Sequence, residues 1–235
     1  MRLPITDCTC PMPQSGCWGW RTRIPGANIE FMSSSNTGLK MQDNLAELIS
    51  ARICHDLISP VGAIGNGLEL MSALGGASPE LELVGQSAQS AQAKLKFFRV
   101  AFGGSAGSMI GGAEAQRVAV NMFTSGRLSL SITESWGARE RGLVKLFYLL
   151  LLCVESSLPR GGNIQCTPTV SGWRIKVSGV PVAPPADLWR YVSEGHNGID
   201  LNAKTIQFLL ARQAMVEQSI TLKSAFSETS LQVEF

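Results

Sequence analysis

The stretch "NLAELISARICHDLISPVGAIGNGLELM", residues 44–71, carries apolar side chains at Leu45, Leu48, Ile49, Ile53, Leu57, Ile64, Leu68 and Met71. Steps of three and four are the period of one helical face, so the stretch predicts a long amphipathic helix. Asn44 and Glu47 match a capping box at its start, and Gly75-Gly76 is a stop signal. A second helix follows, with Ser78 as N-cap, Pro79 at the first helical position and Glu80 near the positive end of the dipole. Leu81, Val84, Ala88, Ala91, Leu95, Phe98 and Phe102 continue it as a heptad seam. The pair predicts an antiparallel helical hairpin over residues 41–102. Each helix has one neighbour within the hairpin and cannot bury so long a stripe against it. Two hairpins are therefore expected to pair as a dimeric four-helix bundle, unless the rest of the chain covers the stripe.

Outside the hairpin the pattern changes. Residues 1–40 are rich in Pro, Gly, Ser and Thr without a usable hydrophobic period, and are expected to be a disordered extension, with Met32 and Met41 as alternative starts. Cys8, Cys10 and Cys17 lack a second ligand pair at zinc-finger spacing and a nearby histidine, so no metal site is read there. Residues 103–112, "GGSAGSMIGG", read as a Gly/Ser linker; no Lys-Ser/Thr follows them and no strand precedes them, as a phosphate-cradling loop requires.

Residues 113–235 are expected to form a second, α+β domain. "EAQRVAVNMF" reads as a helix and "RLSLSIT" as a half-buried strand. An apolar helix near 139–157 leads to a "PRGG" turn and two strands, "NIQCTPTV" and "WRIKVSG", joined at Ser171-Gly172. A helix near 200–215 and strands near 218–224 and 230–235 complete the chain. The apolar run "LVKLFYLLLLCV", 143–154, contains Lys145 and is shorter than the roughly 20 residues of a membrane span, so it reads as a buried helix.

The composition, 45% hydrophobic with a formal charge of +2 from 20 basic and 18 acidic residues, contains no block of like charge; neither nucleic acid nor membrane is an expected partner. Six cysteines without a disulfide framework, and no apolar signal segment, lead us to expect a cytoplasmic location.

His55 is one of two histidines in the chain. At about 100° per residue, the apolar stripe through Ile53 and Leu57 leaves His55 about 180° away, projecting into solvent from a rigid helix. Arg52 and Ser59 lie three residues before and four after it, the spacings at which helical side chains meet, and Asp56 is adjacent. A neutral imidazole offers a nucleophilic nitrogen without a strong base, which suits phosphoryl transfer. Asp56 is expected to hold the other ring N–H and fix the tautomer, and Arg52 to steady the phosphoryl oxygens. Pro60 is expected to remove one helical hydrogen bond and bend the helix about one turn beyond His55.

"HDLISP" resembles the H-box of histidine kinases and histidine phosphotransferases, in which a phosphoacceptor histidine precedes an acid, a leucine and a proline. With "ICHDLISPVGAIGNGLELM", the Gly-rich connector and "LVKLFYLLLLCVESSLPRGGNI", residues 44–235 resemble the ChpT-type histidine phosphotransferases of alphaproteobacteria. The resemblance implies a homodimer with a kinase-like hairpin and a degenerate histidine-kinase-ATPase-like α/β sandwich. It implies that His55 takes a phosphoryl group from the receiver aspartate of a hybrid kinase and passes it to the receiver aspartate of a response regulator. Receiver domains are expected to dock on the first helix around Ile58, Val61 and Gly62. The chain itself is expected to bind no cofactor and no metal, with Mg2+ carried by the partner receiver.

Two rivals remain open on the sequence. An ATP-dependent histidine kinase would carry an asparagine before its P-x-G-G turn, where this chain has Cys153, and an Asp-x-Gly-x-Gly box after the hairpin, where it has Ser178 and Gly179. The later "EGHNGIDLNAKTI" keeps Gly195 and Gly198 without the repeated glycines for close phosphate approach. A non-catalytic dimeric scaffold for receivers would be indifferent to replacement of His55. His196, in the same "EGHNGID" segment, reads as a surface loop residue with no acid or base partner. Purified protein given labelled ATP alone is expected to stay unlabelled; incorporation that His55→Ala abolishes would restore the kinase reading.

Overall fold

The computed structural model describes residues 35–74, 79–104, 107–123, 127–179, 181–195, 202–227 and 229–235. The predicted hairpin is present, as helices α1 (Ser35–Leu74) and α2 (Pro79–Ala101). Pro79 occupies the first position of α2, where its missing N–H costs no helical bond. Helix α1 begins well before the expected start: Asn44 lies inside it, so the capping-box reading fails, and residues 35–40, assigned to the extension, are helical. Backbone propensity, as at the helix formers Lys40 and Met41, leaves no periodic signature in the sequence. Residues 1–34, with Cys8, Cys10 and Cys17, and the Gly75-Gly76 stop signal lie outside the described residues.

The connector is shorter than expected. Met109–Ile110 form strand β1, which pairs antiparallel with β3 (Arg139–Glu140), and α3 (Gly112–Phe123) starts at the last glycine. Gly112 serves packing here: a Cβ at this position would lie 1.8 Å from the Trp136 carbonyl oxygen.

Strands β2 (Leu128–Ile132), β4 (Gly162–Pro168), β5 (Trp173–Ser178), β6 (Lys223–Phe226) and β7 (Ser230–Glu234) form one sheet in the order β2-β4-β5-β7-β6. Only β2 and β4 run parallel; the other pairs are antiparallel, with Cys166 opposite Ile175 and Val177 opposite Leu231. Side chains alternate across the sheet, so Ile164, Cys166, Trp173, Ile175, Val177, Leu231 and Val233 line one buried face. Helix α4 (Arg141–Glu155) lies on that face, and it is apolar all round because it is covered all round: Leu146 to Val154 are completely buried. Phe147 of α4 stacks on Trp173 of β5 with ring centroids 4.5 Å apart. Helices α5 (Ala186–Glu194) and α6 (Ile206–Glu217) close the layer, α6 starting later than its sequence pattern implied. Helix α5 was not anticipated; its short "ADLWRYVSE" buries Trp189 and Val192 with Leu188 and Tyr191 packed beside them, a face only nine residues long that follows a Pro-rich segment. The class is α+β, as expected, and among the described residues no helix is long and apolar enough to cross a membrane.

The hairpin and the second domain share one core. Phe97 of α2 is fully buried and stacks on Tyr148 of α4 at 4.4 Å, with Phe98 and Phe123 edge-on to it. Leu45, Leu48, Ile49 and Ile53 of α1 pack against the same cluster. The stripe of α1 is thus divided: its first half is covered by the chain's own second domain. Beyond that point Leu68 and Leu70 of α1, and Leu81, Leu83 and Leu95 of α2, stand half-exposed. Removing the Phe97 ring opens a cavity at the junction, so Phe97→Ala is expected to cost about 3–5 kcal/mol, read as a lower denaturant midpoint.

Candidate functional site

His55 projects from the middle of α1 with 68% of its side chain exposed, as the helical period required. Its Nδ1 lies 3.0 Å from Asp56 Oδ1. An ionised carboxylate can only accept, so this contact places the proton on Nδ1 and leaves the Nε2 lone pair for solvent or a partner. Asp56 is itself held. Its other oxygen, Oδ2, accepts from Arg52 Nε at 3.0 Å, one helical turn back.

The backbone of Asp56 is tied as well. In a regular helix its carbonyl would accept from the N–H four residues on, but that residue is Pro60, which has none. Lys94 of α2 fills the gap, its Nζ donating to the Asp56 carbonyl oxygen at 2.9 Å. The proline of the H-box thus frees an acceptor beside the histidine, and the second helix takes it. Pro60 itself is buried.

Arg52 departs from expectation. It does not turn outward toward the place a phosphoryl group would occupy; its side chain is only 12% exposed. Nε is committed to Asp56, and the NH2 end of its guanidinium lies 3.6 Å from Glu155 Oε2, at the end of α4. The reason is geometric: Arg52 sits on the flank of α1 that meets the second domain, between the buried seam and the His55 face. Ser59 is exposed one turn beyond the histidine. Ile58 and Val61 are 72% and 56% exposed, and Gly62 has open space where a Cβ would point, so an apolar surface surrounds the imidazole.

Two of the groups organising the site, Lys94 and Glu155, were not singled out from the sequence. Each left a signal: Pro60 stands four residues after Asp56, and Glu155 puts an acid at the end of an apolar helix, where the dipole disfavours it. His196 lies outside the described residues.

Of the two positions aligned with a kinase's asparagine and aspartate, Cys153 lies in the packed core and Ser178 is exposed. Cys153 is completely buried and burial pushes its thiol well above the ordinary range, with Arg52 pulling slightly the other way. Ser157 accepts from the indole N–H of Trp189 at 3.0 Å, Ser156 Oγ accepts from the Gln207 amide at 2.9 Å, and Trp189 and Phe208 meet edge to face. Ser178 ends a strand, opposite Asn163 on one side and Ser230 on the other.

Residues 112–230 match the family of the histidine phosphotransferase C-terminal domain. The chain is 41% identical over 187 residues to the protein phosphotransferase ChpT of Brucella abortus (strain 2308), over 75% of this chain and 90% of that one. The chain belongs to the histidine phosphotransferase family. A solved bacterial phosphotransferase superposes with a TM-score of 0.66 at 30% identity, over 81% of this chain and 95% of the other. For a histidine phosphotransferase the exposed imidazole with a fixed tautomer is the informative feature, because the nitrogen left unprotonated is the one that can attack phosphorus. Asp56→Ala removes the acceptor that fixes it. Transfer is expected to slow by about 10–100-fold without disappearing, on the scale seen when the partner orienting a metal-ligating histidine is lost. Quench-flow of label onto the protein measures it.

Proposed function

We propose that this phosphotransferase relays a phosphoryl group through His55, from the receiver aspartate of a hybrid histidine kinase to the receiver aspartate of a response regulator. The observation that carries the reading is the contact of His55 Nδ1 with Asp56 Oδ1 on a side chain that is 68% exposed. A receiver brings an acyl phosphate held in its own site, and Nε2 attacks phosphorus in line with the aspartyl oxygen. The N–P bond forms as the O–P bond breaks, the electron pair returns to the receiver carboxylate, and Nδ1 keeps its proton against Asp56. The second half is the reverse step toward a different receiver. Mg2+ belongs in this reading to the receiver, where the charge on the transferring group is greatest.

The exposed apolar residues Ile58 and Val61 with Gly62 form the receiver's docking surface, and the second domain supplies a rim. The exposed members of the two apolar seams, Leu68 of α1 with Leu81 and Leu95 of α2, are the surface that pairs two copies into the four-helix bundle. Each copy then presents its His55 on an outer face, in the cytoplasm where receivers are found. The ATP-dependent kinase reading is disfavoured by Cys153, which stands where a kinase has its asparagine and is completely buried. The scaffold reading leaves the His55–Asp56 contact without a purpose.

The test mixes purified protein with a phosphorylated receiver. Label is expected on His55, and His55→Ala is expected to abolish transfer while leaving the dimer mass by light scattering and the melting temperature almost unchanged, since truncating an exposed helical side chain opens no cavity. Full transfer by the alanine variant would end the relay reading, and a monomeric mass would end the dimer.

A further inference from the structure

Glu155 closes α4 with a negative charge at the C-terminal end of a helix, where the dipole opposes it, and only 27% of its side chain is exposed. Burial pushes its carboxyl up from the ordinary range, and Asp56 pushes the same way; Arg52, Arg127 and Lys94 pull against them. The residue is locally unfavourable on both counts. Its ion-pair partner, 3.6 Å away, is the NH2 end of Arg52, on the helix that carries the phosphoacceptor. Imidazole, carboxylate, guanidinium and carboxylate therefore alternate from the exposed His55 inward through Asp56 and Arg52 to Glu155, crossing from the hairpin into the second domain.

We propose that Glu155 is a positioning residue for phosphoryl transfer: by holding the far end of the Arg52 guanidinium it restricts Arg52 to one oxygen of Asp56 and reserves the other for His55 Nδ1–H. The proposal rests on the relay reading and assigns the second domain a part in it.

The physical argument is one of competition. A guanidinium is a planar fork that prefers to take both oxygens of a carboxylate at once. Arg52 does not do so; Nε takes Oδ2 alone, and Nη2, which would complete the fork beside Nε, lies 3.6 Å from Glu155 Oε2. Freed from Glu155, the fork would close on both oxygens of Asp56 and displace the imidazole from Oδ1. The ring would then be free to turn and to change tautomer, and the attacking nitrogen would spend less time aimed outward. A crevice of about 230 Å³ at this junction, lined by Asp56, Lys94, Phe123, Arg127 and Glu155 among others, keeps the pair next to solvent, so the effect is modest in size.

Glu155→Gln keeps the shape and removes the charge. With a phosphorylated receiver in excess, the single-turnover rate onto His55 is expected to fall about fivefold at saturation, while the receiver concentration giving half the maximal rate stays unchanged. The double variant Arg52→Gln/Glu155→Gln is expected to be no slower than Arg52→Gln alone, because Glu155 acts through Arg52. Nitrogen-15 chemical shifts of the imidazole, simple to assign with two histidines in the chain, are expected to move away from the Nδ1-protonated pattern in Glu155→Gln. Glu155→Asp, which keeps the charge but withdraws it, is expected to lose part of the same rate and stands in if the glutamine variant does not fold. Wild-type rate and tautomer in whichever variant folds overturns the proposal while leaving the relay intact. So does a change confined to the half-saturating concentration, which would make Glu155 a docking residue, or additive losses in the double variant. Absence of label on His55 of the wild-type protein would instead defeat the relay reading itself.

Discussion

Asp56 is held at both ends, and the rest of the site depends on that. Its carboxylate accepts from His55 on one oxygen and from Arg52 on the other, and its carbonyl, released from the helix by Pro60, accepts from Lys94 of the neighbouring helix. A side chain tethered in this way has little rotational freedom left, so the imidazole bonded to it is aimed by the fold rather than by its own torsions. The proline inside α1 and the fixed imidazole are linked: Pro60 removes one helical hydrogen bond, and Lys94 of α2 supplies a replacement that ties the two helices together.

The same requirement explains why the two halves of the chain share a core. If α1 were carried on an independent hairpin, Arg52 would face solvent and its pairing with Asp56 would be worth little. Burying Phe97 against Tyr148 and covering Ile49 and Ile53 brings the end of α4 up to the flank of α1, and only then does Arg52 sit at 12% exposure between two carboxylates. The central helix is the means. Apolar on every side and capped by the sheet on one of them, α4 is rigidly placed, so the charge at its end arrives at a defined point.

Coverage of α1 changes along its length. The stretch preceding the histidine is packed by the second domain, the stretch around it is left open on the His55 face with Ile58 and Val61 beside it, and the distal stretch keeps Leu68 and Leu70 uncovered. One amphipathic helix thus offers three surfaces. A shared core and the docking and pairing surfaces proposed above require different residues on different flanks, which a helix supplies by rotating 100° per residue.

Much of this was present in the chain as pattern. The three-and-four spacing from Leu45 to Met71 determined both a helix and the outward direction of His55, because a period of 3.6 leaves no other place for residue 55 once Ile53 and Leu57 face inward. Alternation in "NIQCTP" and "WRIKVS" likewise determined a paired, half-buried sheet, and unbroken apolarity determined a fully covered α4. Local spacing carries no information about what lies across a domain boundary. It placed Arg52 near His55 but could not say which way a long, flexible fork would turn, and it gave Lys94 and Glu155 no address, since their partners stand far away in sequence. Helix α5 escaped because nine residues span too few turns for the spacing of Leu188, Trp189, Tyr191 and Val192 to stand out, and tertiary contacts such as that of Trp189 with Ser157 hold it. The sequence by itself determined an outward histidine on an amphipathic helix; only the tertiary structure decided its hydrogen-bond partners, because those bonds are made where separate segments converge.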